Sequence, residues 1–240
     1  MSIIEELVNL FLEGHGVNTL PENVFPYLTH LTNFKVNNIK LTELPEDFSK
    51  LTSLWQLCFK NSDIPKIPSG IALLIALQEL AFSNCQLIEL TKEDVGLLHN
   101  VRNLTLDNNR LTALPDLSSL DNIRILNVSD NRFHEFPSKD FLFPRKLFKI
   151  NLSGNNLETI PDDIGVLLDY PENQTPILIE LFMDRNPIKS LSPKLIKNLP
   201  KLLYVNFNTD YIDDRIIEEM LVKYKGPQPA HKTGYFFLPY

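Results

Sequence analysis

Residues 101–115 read Val101-Arg-Asn-Leu104-Thr-Leu106-Asp-Asn-Asn109-Arg-Leu111-Thr-Ala-Leu114-Pro115, and the spacing of their apolar side chains decides the fold. Leu104 and Leu106 share one face of a short extended segment, because strand side chains alternate, and Val101 precedes them by three. Asn109 then ends the strand, where its amide can bond the backbone of neighbouring turns. A buried amide without such partners costs roughly 1–3 kcal/mol. Leu114-Pro115 begins a return turn or short helix, since proline has no amide hydrogen to give a central strand.

The same spacing starts at Leu31, Leu54, Leu77, Val101, Ile123, Leu147, Leu178 and Leu202, at intervals of 22 to 24 residues and one of 31. A unit this short cannot bury its apolar side alone and must stack on its neighbours to build one continuous core. The Asn109 position recurs as Asn131, Asn155 and Asn186, which predicts a hydrogen-bonded ladder down the stack. Earlier units place Ile39, Ser62 and Cys85 there; Ile39 can neither donate nor accept, so Asn37 or Asn38 is expected to substitute. The apolar-Pro step recurs at Leu20-Pro21, Leu44-Pro45, Ile67-Pro68, Phe136-Pro137 and Ile160-Pro161. Strands about 4.8 Å apart with bulkier return segments predict a stack curved with its strands inside.

The run Leu104-Thr-Leu106-Asp-Asn-Asn109-Arg-Leu111-Thr-Ala-Leu114-Pro115 resembles the leucine-rich repeat of the 23-residue kind, over about residues 17 to 212. The resemblance implies an α/β fold: a curved right-handed solenoid with a parallel sheet on the concave face, 3-10 or short helices on the convex face, and helical caps. It implies a role in protein recognition and no chemistry. Similarity to bacterial repeats of this length further implies a bacterial protein, delivered into a host cell by a non-classical route.

One domain over 1–240 is expected: a cap over 1–16, repeats over 17–212, and a helical cap with tail over 213–240. Residues 2 to 13 read two ways, because Leu7, Leu10 and Leu12 fit one more repeat while Ser2-x-x-Glu5 with Ile3, Ile4, Leu7 and Phe11 fits a capped amphipathic helix. The helix is preferred, since a solenoid end needs a cover. Residues 213 to 225 read as a second helix, with acids first and Lys223 and Lys225 last. The aromatic ending Tyr235-Phe236-Phe237-Leu238-Pro239-Tyr240 is expected to pack back on the cap rather than meet a partner. The long unit carries an insertion around 169–176, read as a surface loop.

A formal charge of −7 and the lack of a long Lys/Arg run argue against nucleic acid as partner. No apolar run approaches the ~18 residues of a membrane span, and residues 1–6 lack a basic leader, so a cytoplasmic, monomeric protein is expected. Cys58 and Cys85 suggest no disulfide framework. Phosphate-cradling, zinc-protease and paired Cys-x-x-Cys motifs are absent, and the five histidines are scattered, so no enzyme, metal or cofactor is expected. Cys58 alone invites a chemical reading, because Lys35 and Lys60 beside it would favour a thiolate. No base accompanies it, and a plain exposed thiol is the preferred reading. Cys85, at the ladder position, is expected buried and inert.

Outward strand positions form columns. One holds Lys35, Cys58, Ala81, Thr105, Asn127, Asn151, Phe182 and Asn206; another holds Asn37, Lys60, Ser83, Asp107, Ser129, Ser153, Asp184 and Asn208. Trp55 near the beginning and Phe148, Phe182 and Tyr204 near the end are the side chains interfaces favour. The expected partner-binding set is Lys35, Trp55, Cys58, Lys60, Arg102, Asp107, Asn127, Phe148, Asn151, Phe182, Asp184 and Tyr204. Charges on this face have mixed sign, so no single-sign partner is demanded. A protein-binding module without catalysis follows, with an enzyme sited in 169–176 or a self-associating protein as alternatives.

Overall fold

The structure is a computed structural model that describes residues 6–14, 18–20, 23–136, 144, 146–161, 178–191, 202, 204–208, 212–213 and 215, together with the backbone of 235–237. Each repeat places the first of its two alternating apolar residues in a strand, and the second in the strand or just past its end. The strands are β1 (Asn9–Glu13), β2 (Asn33–Asn37), β3 (Gln56–Lys60), β4 (Glu79–Ser83), β5 (Asn103–Thr105), β6 (Ile125–Asn127), β7 (Lys149–Asn151), β8 (Glu180–Met183), β9 (Tyr204–Phe207) and β10 (Tyr235–Phe237). They form one sheet in chain order. β1 to β9 pair in parallel, and β10 closes on β9 antiparallel.

Register puts like residues beside like. Phe34, Leu57, Leu80, Leu104, Leu126, Ile150, Leu181 and Val205 form one inward row of paired positions. All are essentially inaccessible, as are the unit-opening residues Leu31, Leu54, Leu77, Val101, Ile123, Leu147, Leu178 and Leu202. At about 1.5–3 kcal/mol for each fully buried side chain, this shared spine is the main stabilising term.

The return segments are short. Among the described residues they include 3-10 turns at Phe25–Tyr27, Glu46–Lys50 and Ser69–Leu73, and the α-helix α1 (Lys92–Gly96). α1 forms where the others do not because Thr91 and Asp94 make a capping box: Asp94 N donates to Thr91 Oγ1 at 3.1 Å, and Thr91 N donates to Asp94 Oδ2 at 2.8 Å. In the next unit Ser118 N donates to Asp116 Oδ1 at 2.9 Å, which turns the chain without a helix.

The helix preferred for residues 2 to 13 is corrected at 9–13, which are β1. Leu10 and Leu12 alternate with Asn9, Phe11 and Glu13, and β1 pairs residue for residue with β2. A helix there would leave the outer backbone edge of β2 unpaired, and the period of two fits the sheet. Of the expected C-terminal helix only Asp213 and Arg215 are described. Arg215 is helical, and its amide donates to Asp213 Oδ1 at 2.9 Å. The remainder of that helix and the insertion at 169–176 lie outside the described residues. Of the aromatic ending, residues 235–237 enter the sheet as β10 beside β9, and 238–240 lie outside the described residues.

The ladder forms as the spacing predicts. Asn109 Nδ2 donates to Phe82 O at 2.7 Å and Leu106 O at 3.0 Å, while its Oδ1 accepts from Cys85 N and Leu87 N at 3.0 Å. Asn131, Asn155 and Asn186 repeat this, taking the amide hydrogens of Leu111, Phe133 and Leu157. Cys85 Sγ makes weaker versions, 3.4 Å from Phe59 O and Ser83 O. Ser62 Oγ is buried without a partner. Asn37 and Asn38 do not substitute for Ile39: they lie outside the core, with Asn38 Oδ1 accepting from Asn61 at 2.8 Å. The early units are held instead by aromatic contacts. Phe25, Phe34, Phe48, Phe59 and Phe82 form a chain of rings with centroids 5.3 to 6.5 Å apart.

Candidate functional site

Because successive strand side chains alternate, every outward residue belongs to a column that runs across the sheet. The predicted column is in register throughout: Lys35, Cys58, Ala81, Thr105, Asn127, Asn151, Phe182 and Asn206 are direct neighbours, and Phe11 begins it. A further column, beyond the two read from the sequence, runs on its other side: Asn33, Gln56, Glu79, Asn103, Ile125, Lys149, Glu180 and Tyr204. Stepping back two residues from the first column would have found it.

These columns are joined by hydrogen bonds. Glu79 accepts from Gln56 Nε2 at 2.6 Å and from Asn103 Nδ2 at 2.9 Å, so both its oxygens are engaged. Ser83 Oγ donates to Asp107 Oδ1 at 2.6 Å. Asp184 accepts from Ser153 Oγ and from Asn206 Nδ2. Asn127 and Asn151 use their oxygens on the amides of Ser129 and Ser153. Small side chains in the middle leave a hollow of about 270 Å³ lined by Lys35, Gln56, Cys58, Glu79, Ala81, Asn103, Thr105 and Ile125.

The structure gathers Phe182 and Tyr204 into one aromatic platform, ring centroids 4.8 Å apart, with Lys149 Nζ 4.9 Å over the Phe182 ring. Lys149 also pairs with Glu180 at 2.7 Å. Trp55 stands apart from that platform, 40 % exposed, just before β3. Five strand steps separate β3 from β8, about 24 Å at 4.8 Å each. Arg102 is exposed and Phe148 half-buried in the row just before the strands, while Lys60 and Asp107 flank the hollow's outer side.

Cys58 is half-buried rather than exposed, and the lysines beside it do not make it a thiolate. Burial raises its pKa, and outweighs the lowering by Lys35 and Lys60. Cys85 is fully buried, and burial pushes its thiol up to about 12. Among the described residues no three His, Cys, Asp or Glu side chains come together to hold a metal ion, and no helix is long and apolar enough to cross a membrane.

At the strand ends the residue before each ladder position is left-handed: Asn38, Asn61, Asn84, Asn108, Asp130, Gly154 and Arg185 have φ between 53° and 67°. Asn, Asp and Gly accept this conformation readily, whereas a long side chain pays roughly 1–2 kcal/mol. Arg185 offsets the cost by reaching past Gly154 to Asp130, with bonds of 2.5 and 3.1 Å. A Cβ at Gly154 would overlap Asp130 Oδ1 and come within 3.0 Å of Arg185 Nη1, so glycine is what lets this staple pass. It ties β6 to β8 across the unit with the insertion.

Known proteins agree with this architecture. The family model described as a leucine-rich repeat region matches residues 4–226. No curated protein is matched by the sequence. Among solved structures, TLR13 in its complex with ssRNA13 superposes with a TM-score of 0.73 at 20 % identity, over 85 % of this chain and 29 % of that one. An internalin (inlF) from Listeria monocytogenes gives 0.64 at 21 % identity, over 87 % and 58 %. A leucine-rich repeat protein from Leptospira interrogans gives 0.53 at 19 % identity, over 90 % and 76 %. The chain thus spans under a third of the length of TLR13 and somewhat over half that of the internalin. With the ladder, the parallel register and the family model in agreement, the chain belongs to the leucine-rich repeat family.

Proposed function

We propose that the chain is a protein-recognition module that binds a protein partner on the open face of its sheet and carries no catalysis of its own. One observation carries this reading: a continuous outward face, small and polar in its centre, with an exposed indole at one end and the Phe182–Tyr204 platform at the other. Large aromatic groups supply most of the binding energy at interfaces, and small polar centres admit hydrogen bonds, in part through water. In this reading Trp55, Phe148, Phe182 and Tyr204 are apolar anchors. Lys35, Cys58, Lys60, Arg102, Asp107, Asn127, Asn151 and Asp184 line the polar stretch between them. Two free thiols, one of them buried, agree with a reducing, cytoplasmic setting.

The test is cross-linking and pull-down with Trp55→Ala and Phe182→Ala variants beside wild type. Loss of the same captured protein in both variants supports the reading. Undiminished capture by the pair places docking elsewhere.

A further inference from the structure

Just before the strands runs a row of residues fixed by seven consecutive backbone hydrogen bonds. Thr32 N donates to Val8 O, Trp55 to Thr32, Gln78 to Trp55, Arg102 to Gln78, Arg124 to Arg102, Phe148 to Arg124 and Ile179 to Phe148, at 2.7–3.0 Å. The row is apolar at its ends, with Val8 46 % and Trp55 40 % exposed on one side and half-buried Phe148 and Ile179 on the other. Its centre holds two exposed arginines, Arg102 and Arg124, each just before one of the neighbouring strands β5 and β6.

Most described cations near the late strands are paired: Lys149 with Glu180, Arg185 with Asp130 and Asp184, and Lys189 with Glu158. Among the described residues, the side chains of Arg102 and Arg124 make no ion pair or hydrogen bond. The carboxylates on the adjoining columns are already engaged, Glu79 by Gln56 and Asn103 and Asp107 by Ser83 and Asn108. Like charges on adjacent strands weaken a sheet, so the fold itself gains nothing from this pair. Lys35 and Lys60 on the same face are offset by Glu79 and Asp107, which stay charged while bonded to neutral groups, so the positive charge offered to a ligand is that of the arginine pair.

We propose that this row binds an acidic peptide segment of the protein partner, two carboxylates meeting Arg102 and Arg124 while an apolar side chain rests against Trp55 on one side and Phe148 on the other. The proposal rests on the sheet-face reading above and adds the chemistry of the partner. Arginine forks match carboxylates well, and the apolar ends match hydrophobic side chains rather than a uniformly charged backbone. A chain with a formal charge of −7 also opposes a long polyanion, which disfavours RNA. Trp55 and Phe148 are four strand steps apart, about 19 Å, which an extended peptide crosses in about six residues.

The test is fluorescence anisotropy with the full chain and three labelled probes: the heptapeptide Leu-Gly-Asp-Glu-Asp-Gly-Phe, its amide twin Leu-Gly-Asn-Gln-Asn-Gly-Phe, and a short single-stranded RNA. The acidic peptide should bind about tenfold more tightly than its twin, with the margin shrinking as salt rises. An R102Q/R124Q double variant, shown folded by circular dichroism, should erase that margin, whereas Trp55→Ala should weaken both peptides alike. Equal binding of the twins by wild type, a margin that survives in the double variant, no peptide binding, or RNA as the tightest probe would each overturn the proposal. If the twins bind equally and Trp55→Ala weakens both, the charge assignment falls while the sheet-face reading stands.

Discussion

Asn109→Ala is the substitution whose cost is most directly worked from the structure. Its Oδ1 is the acceptor for two amide hydrogens, those of Cys85 and Leu87, at 3.0 Å each. Alanine leaves both donors orphaned in the interior at roughly 1–3 kcal/mol apiece, so the expected loss is about 4 kcal/mol. Of the carbonyls, Leu106 O, which Asn109 meets at 3.0 Å, keeps the Asn131 amide at 2.9 Å, while Phe82 O loses its 2.7 Å bond. A loss of this size is a large part of the ~5–15 kcal/mol that holds a domain together. Trp55 is the single tryptophan and lies on the early side of Asn109, so its fluorescence reports on the early units in urea while circular dichroism reports on the whole stack. Both transitions should move to lower urea, the tryptophan signal at least as far as the other, because the unit that starts at Leu77 loses its hold on the one that starts at Val101. A loss below about 0.5 kcal/mol, no larger than an ordinary surface substitution, would refute the ladder's energetic role.

Further outcomes follow from the same contacts. Phe48→Ala should cost about 3–5 kcal/mol in urea melts, because Phe48 touches the rings of Phe25, Phe34 and Phe59 in the units that lack ladder asparagines. Gly154→Ala should cost about 1–2 kcal/mol from the left-handed backbone alone and lower the thermal midpoint further as the Asp130–Arg185 bonds part. Cys85 makes stability depend on alkaline pH: its thiol titrates at 9.0 when unfolded and about 12 when folded, so its contribution is full below 9 and is lost as pH rises toward 12. Alkaline urea titrations of wild type and Cys85→Ala should diverge by about 1.4 kcal/mol per pH unit within that window, and parallel curves would count against the burial.

The repeat phase, the inward leucines and the ladder from Asn109 to Asn186 were legible in the sequence, since each is a local spacing that every unit restates. β1 was harder to read, because Leu7, Leu10 and Leu12 satisfy the repeat while the same segment also carries a helical pattern. Pairing with β2 decided between them. The Asp130–Gly154–Arg185 staple joins residues up to 55 apart, and no spacing within one unit announces it. Its nearest signal was the run of Asn, Asp and Gly just before each ladder position. At Cys58 the lysine neighbours are visible in sequence and its burial is not, so the thiol expected to be plain and exposed is plain but half-buried. For the face, alternation gave the column from Lys35 to Asn206, but which charges are spent on neighbours, as Lys149 is on Glu180, and which stay free, as at Arg102 and Arg124, depends on side-chain placement.

The central claim is that one unbroken parallel stack presents a single ordered face. Nitroxide labels test it most directly: one at Lys35, the other in turn at Asn127, Asn151 and Asn206, in a chain carrying Cys58→Ser and Cys85→Ala. These positions lie four, five and seven strand steps apart in the same column. Electron–electron distances should climb through about 19, 24 and 34 Å, slightly less where the sheet curves. Distances that fail to rise in that order, or that jump between two broad clusters, would contradict the stack.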